Sequence, residues 1–194
     1  MNDSFFVHSL IVDSTTKNFP RSDFLINESR GLKVLHVGFV DYPITNIEDN
    51  LHLKLSQVCS RLDGIDPNAN EEISKLLSVQ NGTIYNSWDE IPNDYDLVLI
   101  PEVLEHVDNV RDFLETVDKY NGRLIITVPC AFLLSGHFQE SEIGFVELVH
   151  EDHNCWFSPY TIKNIITKYC KAKTVTKLQW VQGSIVAICD QRLL

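Results

Sequence analysis

Imidazoles and carboxylates gather in two short stretches of this chain, Glu102-Val103-Leu104-Glu105-His106 and His150-Glu151-Asp152-His153. An imidazole of ordinary pKa, near 6.5, accepts a proton readily at neutrality. His106, His150 and His153, with Glu102, are therefore the candidates for a base that removes a proton from an acceptor group. His150 and His153 are preferred, because the segment from Cys130 to Phe157 lies where an acceptor would enter. Glu147, His150, Asp152 and His153 also carry donor atoms for a metal. His-x-x-His is not diagnostic without a helix and a further ligand, so no metal site is assigned. His36 points from an apolar run and reads as a core residue. His8, His52 and His137 carry no interpretable signal.

A second set of residues suits the binding of a nucleotide-like ligand. Gly38 ends an apolar run, and a residue without Cβ lets backbone approach a ligand closely. Asp41 follows in the same loop. Asp66 ends another run, where a carboxylate can accept hydrogen bonds from both hydroxyls of a ribose. Trp88 and Asp89 offer a stacking face and an edge partner for an adenine ring. Pro101 and Glu102 end the strongest apolar run of the chain.

These positions are meaningful only if the runs before them are strands. Lys33 to Gly38 is short and rich in β-branched residues, and Tyr95 to Pro101 and Arg123 to Pro129 are nearly continuous in apolar residues. Such runs suit strands buried on both faces. Shorter strands are expected at Arg61–Pro67 and Gly82–Asn86. Helical spacing falls at Leu51–Cys59, Asn70–Val79 and Asn109–Tyr120, the last closed by Asn121-Gly122. Ser158-Pro159 opens a helix to about Tyr169. Lys173–Trp180 and Ser184–Cys189 are separated by little more than Gln182-Gly183 and form an antiparallel hairpin. The alternation predicts an α/β fold, a doubly wound and mostly parallel seven-stranded sheet with a C-terminal hairpin. Ligands of such sheets sit at the carboxyl ends of the strands, where the residues named above fall. Residues 1–30 are expected to form an N-terminal cap segment and 31–194 a single domain. Within it, the irregular stretch 130–157 would shape an acceptor pocket with Phe132, Phe138, Phe145 and Trp156. The two phenylalanines Phe138 and Phe145 equally suit core or a dimer contact, so a homodimer is left open.

The chain of 194 residues is 44% apolar and carries a formal net charge of −11. That balance argues against a nucleic-acid backbone as the main partner. No apolar run approaches the ~20 residues of a membrane span, and the first residues lack a basic signal-peptide region. Five scattered cysteines without a Cys-x-x-Cys pair suit reduced, buried thiols of a cytoplasmic protein.

The order of motifs resembles that of the class I S-adenosylmethionine-dependent methyltransferases. The stretches that carry the resemblance are Lys33-Val34-Leu35-His36-Val37-Gly38, Gly64-Ile65-Asp66, Tyr95 to Val107, Gly122 to Pro129, and His150-Glu151-Asp152-His153-Asn154-Cys155-Trp156-Phe157-Ser158-Pro159. Within that family the chain looks closest to the branch acting on small molecules, quinones and glycans. The resemblance implies a Rossmann-like fold and S-adenosyl-L-methionine as cofactor. It puts Gly38 under the methionine part, Asp66 on the ribose, and Trp88 and Asp89 beside the adenine. Pro101 and Glu102 would line the boundary between cofactor and acceptor, with His106 on the cofactor side. The function implied is methylation of a hydroxyl of a small molecule or sugar. In one respect the chain departs from the family: the G-x-G-x-G loop is replaced by Gly38-Phe39-Val40-Asp41-Tyr42. The alternative is therefore a non-catalytic binding module with an impaired donor site. A nicotinamide enzyme is disfavoured by the lack of G-x-G-x-x-G.

Overall fold

Apolar side chains alternate across the central strands, and both faces are covered. Val98 and Ile100 join Leu35, Leu124 and Ile126 in one core, whereas Leu97 and Leu99 join Val34 and Ile125 in another. Successive side chains of a strand point to opposite faces, so one five-residue strand serves two cores. A computed structural model describes residues 9–41, 44, 46–131, 138–141, 144–147 and 149–192. In chain order the elements are α1 (Arg21–Glu28), β1 (Lys33–Val37), α2 (Leu51–Ser56), β2 (Arg61–Ile65), α3 (Glu71–Leu76), β3 (Ile84–Tyr85), β4 (Leu97–Pro101), α4 (Val110–Val117), β5 (Arg123–Pro129), β6 (Phe138–Ser141), β7 (Gly144–Glu147), α5 (Pro159–Tyr169), β8 (Lys173–Val181) and β9 (Ser184–Gln191).

Seven strands form one sheet in the order β3-β2-β1-β4-β5-β9-β8. The first five are parallel, and β9 runs antiparallel to both β5 and β8. This is the doubly wound sheet with a terminal hairpin expected from the sequence. Helices α4 and α5 cover one face through Leu114, Val117, Ile162 and Ile166. Helices α1 and α2 cover the other through Phe24, Leu25 and Leu55. The helices start where side chains replace missing backbone partners. Asn50, Asn70 and Asn109 accept from the first amides of α2, α3 and α4, and Ser158 forms a capping box with Thr161 at α5. The β8–β9 turn places Gln182 and Gly183 at φ 43° and 84°, the left-handed pair that a two-residue hairpin turn requires.

Two features add to these expectations. Within the first 30 residues, Asp13 and its neighbours join the edge of the sheet, while α1 lies over one face. Asp13 N–H donates to the Leu178 carbonyl, and Trp180 N–H donates to that of Asp13, both at 2.9 Å, so this segment pairs with the outer strand β8. The stretch 130–157 contains a second, two-stranded sheet of β6 and β7, and a bridge between Cys130 and Phe157 closes its base. Phe132 lies outside the described residues, as do the side chains of Phe138 and Phe145.

Lys173, at the start of β8, is fully buried. Its Nζ donates to the carbonyls of Tyr120 at 2.6 Å and Asp118 at 3.1 Å, and burial lowers its pKa. It thereby closes the C-terminal end of α4 onto the sheet. Lys173→Ala leaves these buried carbonyls without a donor. It is expected to lower the free energy of unfolding by about 3 kcal/mol, measured as a shift of the urea midpoint.

Candidate functional site

The carboxyl ends of β1, β2 and β4 open into a cleft of about 1210 Å³. Small-molecule sites run to roughly 300–1,000 Å³, so this cleft has room for a donor and an acceptor together. It forms where β1 lies between β2 and β4 and the connections leave to opposite sides, the usual ligand position in such sheets. A smaller cavity of about 520 Å³ at the opposite end of the strands has its cation already paired. There Arg123 meets Asp190 at 3.0 Å and Glu28 at 3.6 Å.

At the β1–β2 side, Gly38 adopts φ +75°, and a Cβ there would lie 2.2 Å from a methyl carbon of Val103. The glycine is thus required by the close approach of the loops after β1 and β4. Val40 and Tyr42 stand where the resemblance would have further glycines, and Tyr42 lies outside the described residues. Val40 and its neighbour Phe39 are buried in a separate apolar cluster with Leu77, and Phe39 also packs on the His52 ring. Asp66 ends β2 on the cleft wall. Its Oδ2 accepts from Val40 N–H at 2.9 Å and its Oδ1 from Asn68 N–H at 2.8 Å, so it fixes the path of the first loop. Burial raises its pKa, which these two hydrogen bonds partly offset. Each oxygen keeps a further lone pair for a ligand hydroxyl. Asp41 is exposed on the same cleft, with its pKa raised by desolvation.

Pro101 and Glu102 lie on the floor. Glu102 is a non-glycine residue at φ 50°, a conformation that costs ~1–3 kcal/mol and tends to mark functional sites. Its backbone N–H bonds Thr127 O at 2.9 Å, its Oε1 accepts from Thr127 Oγ1 at 2.8 Å, and its Oε2 pairs with Arg21 at 2.9 Å. Thr127 lies in one of the stretches that carry the resemblance but was given no role, and Arg21, a lone cation after Pro20, was marked by no motif. Glu105, inside the motif but given no role above, is buried with both carboxylate oxygens lacking a hydrogen-bond partner. Desolvation first, and then the charge of Glu102, push its pKa up to about 8. A carboxyl so perturbed beside a cleft is a functional-site candidate.

The other end of the cleft is built from His106, His150 and His153. The His106 ring centroid lies 4.7 Å from that of His153 and 5.9 Å from that of His150. Asn154 brings the two segments together. Its N–H donates to Glu105 O at 2.7 Å, and its Nδ2 donates to His106 O at 3.0 Å. The structure therefore joins His106, expected on the cofactor side, to the acceptor-side histidines. Trp88 and Asp89 are not among the residues lining the cleft. Trp88 packs edge-on against Phe113, and its carbonyl accepts from Tyr120 Oη at 2.8 Å, so helix α4 and its C-terminal turn hold the indole against the core. Glu147 accepts from the Trp156 indole instead of facing the histidines.

No family model and no curated protein matches the sequence. Solved structures do match in shape. An S-adenosylmethionine-dependent methyltransferase from Mesorhizobium loti is 11% identical with a TM-score of 0.58, over 92% of this chain and 99% of its own. The magnesium protoporphyrin IX methyltransferase of Synechocystis, solved with bound SAH, is 14% identical with a TM-score of 0.55, over 88% and 82%. The N,N-8-amino-8-demethyl-D-riboflavin dimethyltransferase of Streptomyces davawensis is 13% identical with a TM-score of 0.59, over 88% and 53%. At these identities the likeness establishes the fold, that of the class I methyltransferases.

Beneath the cleft, His36 on β1 and His52 on α2 are buried with their Nδ1 atoms 3.2 Å apart. One ring must donate and the other accept, so the accepting ring cannot gain a second proton without breaking the contact, and a second proton on the donor ring would sit on an Nε2 buried without a partner. Burial holds both pKa values down, that of His52 to about 4. An unfolded histidine titrates near 6.5, so between these values the unfolded chain binds protons that the folded one refuses. The stability tied to the pair is complete above pH ~6.5 and is lost as pH falls toward 4. Melting temperatures over this window should fall more steeply for the native chain than for His52→Gln.

Proposed function

We propose that this protein is an S-adenosylmethionine-dependent methyltransferase acting on a hydroxyl of a small molecule or sugar. The observation that carries the reading is the cleft itself, with a ribose-type carboxylate at one end, histidines at the other, and Pro101 and Glu102 between them. The cofactor, when bound, supplies a methyl group on a sulfonium for in-line transfer. The residues present fit it. Asp66 faces the cleft from the end of β2 with lone pairs left for ribose hydroxyls. The bulky Phe39 and Val40 are packed into their own cluster, which leaves the first loop's backbone to border the ligand.

The chain's own groups then have separable tasks. Gly38, Asp41 and Asp66 orient the donor, and the pinned Glu102 holds the floor between donor and acceptor. Alignment of two bound reactants supplies much of the rate of such a reaction. His150 and His153 stand at the acceptor end, where removal of a hydroxyl proton is needed. Arg21 and Ser22 of α1 line the same cleft. The acidic charge and scattered free thiols fit a cytoplasmic protein.

Titration calorimetry with S-adenosylmethionine and S-adenosylhomocysteine tests the reading. One site per chain is expected, with Asp66→Ala and Asp66→Asn each weakening binding by about tenfold or more. No heat from either ligand at millimolar concentration would remove the proposal. Cofactor binding without methyl transfer to any hydroxyl in a broad acceptor panel would leave the non-catalytic binding module.

A further inference from the structure

We infer that His106, His150 and His153 form a binding site for one divalent transition-metal ion of the zinc type at the acceptor end of the cleft. One donor atom from each ring lies within 4.8 Å of the other two. Four-coordinate zinc holds imidazole nitrogens at ~2.0–2.1 Å, hence ~3.3 Å from one another. Rotation of the exposed His106 and His150 rings about their side-chain bonds closes that difference without moving backbone.

Three features support a cation here. First, the rings gain little from one another beyond the edge-on contacts of His106 with the other two and a tilted contact between His150 and His153. Among the described residues the only carboxylate in ion-pair range of the three is Asp152, 3.8 Å from His150 Nδ1, and His153 Nδ1 is buried with no hydrogen-bond partner. A metal bound by their lone pairs supplies the missing interaction. Second, the backbone beneath them is fixed. Leu104 anchors the turn of His106 in the core, and the two Asn154 bonds tie that turn to the loop of His150 and His153. Donors from separated segments are thus held in register, as a metal site requires. Third, an outer partner is at hand. His150 Nδ1 now accepts from the Asp152 N–H at 3.3 Å; with His150 coordinated through Nε2, its proton sits on Nδ1 and is donated to the Asp152 carboxylate, 3.8 Å away. Metal-bound histidines commonly carry such a carboxylate.

The donor set selects the ion. Three neutral imidazoles and no thiolate suit zinc, cobalt, nickel or copper, whereas magnesium and calcium take oxygen ligands. Three protein ligands would leave a coordination position open to a further ligand. Its occupant would be an oxygen-donor ligand, the acceptor hydroxyl itself. That use rests on the methyltransferase reading; the metal site does not. A ligating imidazole cannot also take a proton, so in the metal-bound protein His150 and His153 position the acceptor. The acidity that the metal confers on a bound hydroxyl then releases the proton to water.

The test is titration of the full chain, first stripped by a chelator, with Co²⁺ and then Zn²⁺, with and without S-adenosylhomocysteine. One equivalent of Co²⁺ should give the intense visible bands of low-coordinate cobalt and be displaced by Zn²⁺. His150→Ala, at an exposed position that folding tolerates, and His153→Ala should each weaken Zn²⁺ binding by more than the ~10–100-fold that loss of an outer partner costs, and Asp152→Asn by about tenfold. Absence of stoichiometric binding, or binding unchanged in the His106/His150/His153 triple alanine variant, overturns the site. Metal binding without cofactor binding upholds the site and removes the methyltransferase reading; cofactor binding without metal binding does the reverse.

Discussion

Burial of the parallel sheet on both faces is the constraint from which the rest of this structure follows. Strands β1, β4 and β5 have helices above and below, so a polar side chain within them must bring its own partner. The few that occur there and on β2 do so, except that one ring nitrogen of His36 is left without a partner. Asp63 of β2 is fully buried and accepts from Tyr95 Oη at 2.6 Å and Thr83 N–H at 2.8 Å, with Arg61 at 2.8 Å. Thr127 of β5 turns its hydroxyl to Glu102, and His36 turns its ring to His52. Chemistry that needs free lone pairs is thereby confined to the ends of the strands.

The carboxyl ends become a cleft because β1 has neighbours reached from opposite sides. The two walls are joined by short-range devices. Val103 occupies the space that a side chain at residue 38 would need, and Asp66 ties the end of β2 to the loop after β1. The same carboxylate that faces the cleft therefore also builds its wall. A change at Asp66 acts on both at once, which is why the amide and alanine variants are informative together.

Strand β5 coincides with its expected limits, and the terminal hairpin falls where Gln182-Gly183 lies, because apolar runs and turn residues are local signals. Helices α2, α3 and α4 are each shorter than their apolar spacing suggested: Asn caps mark their starts, whereas the Asn121-Gly122 expected to close α4 lies past its last residue, Val117. The positions after β1, β2 and β4 were legible as cleft residues on topology alone. What was not legible depends on partners distant in sequence. Arg21 reaches Glu102 only after the N-terminal segment pairs with β8. Trp88 leaves the cleft because Phe113 and Tyr120 of a later segment hold it. His106 joins His150 and His153 only through Asn154, a residue that no spacing rule marks.

The two ends of the cleft are held by different bonds, and this has an energetic consequence. The Asp66 end is fixed within the first half of the sheet, through Asp66, Val40 and Asn68. The histidine end depends on the long-range bonds of Asn154 to Glu105 and His106. Substitutions at separated sites without shared partners combine additively, so the two ends can be altered independently as long as neither change passes through Glu102. That residue is where they meet: its strained backbone lies between them, and its carboxylate is held by Thr127 of β5 and Arg21 of α1. An exposed ion pair alone is worth little. Here it and the threonine bond oppose the backbone strain, and so keep the floor of the cleft in one conformation on which both ends are built.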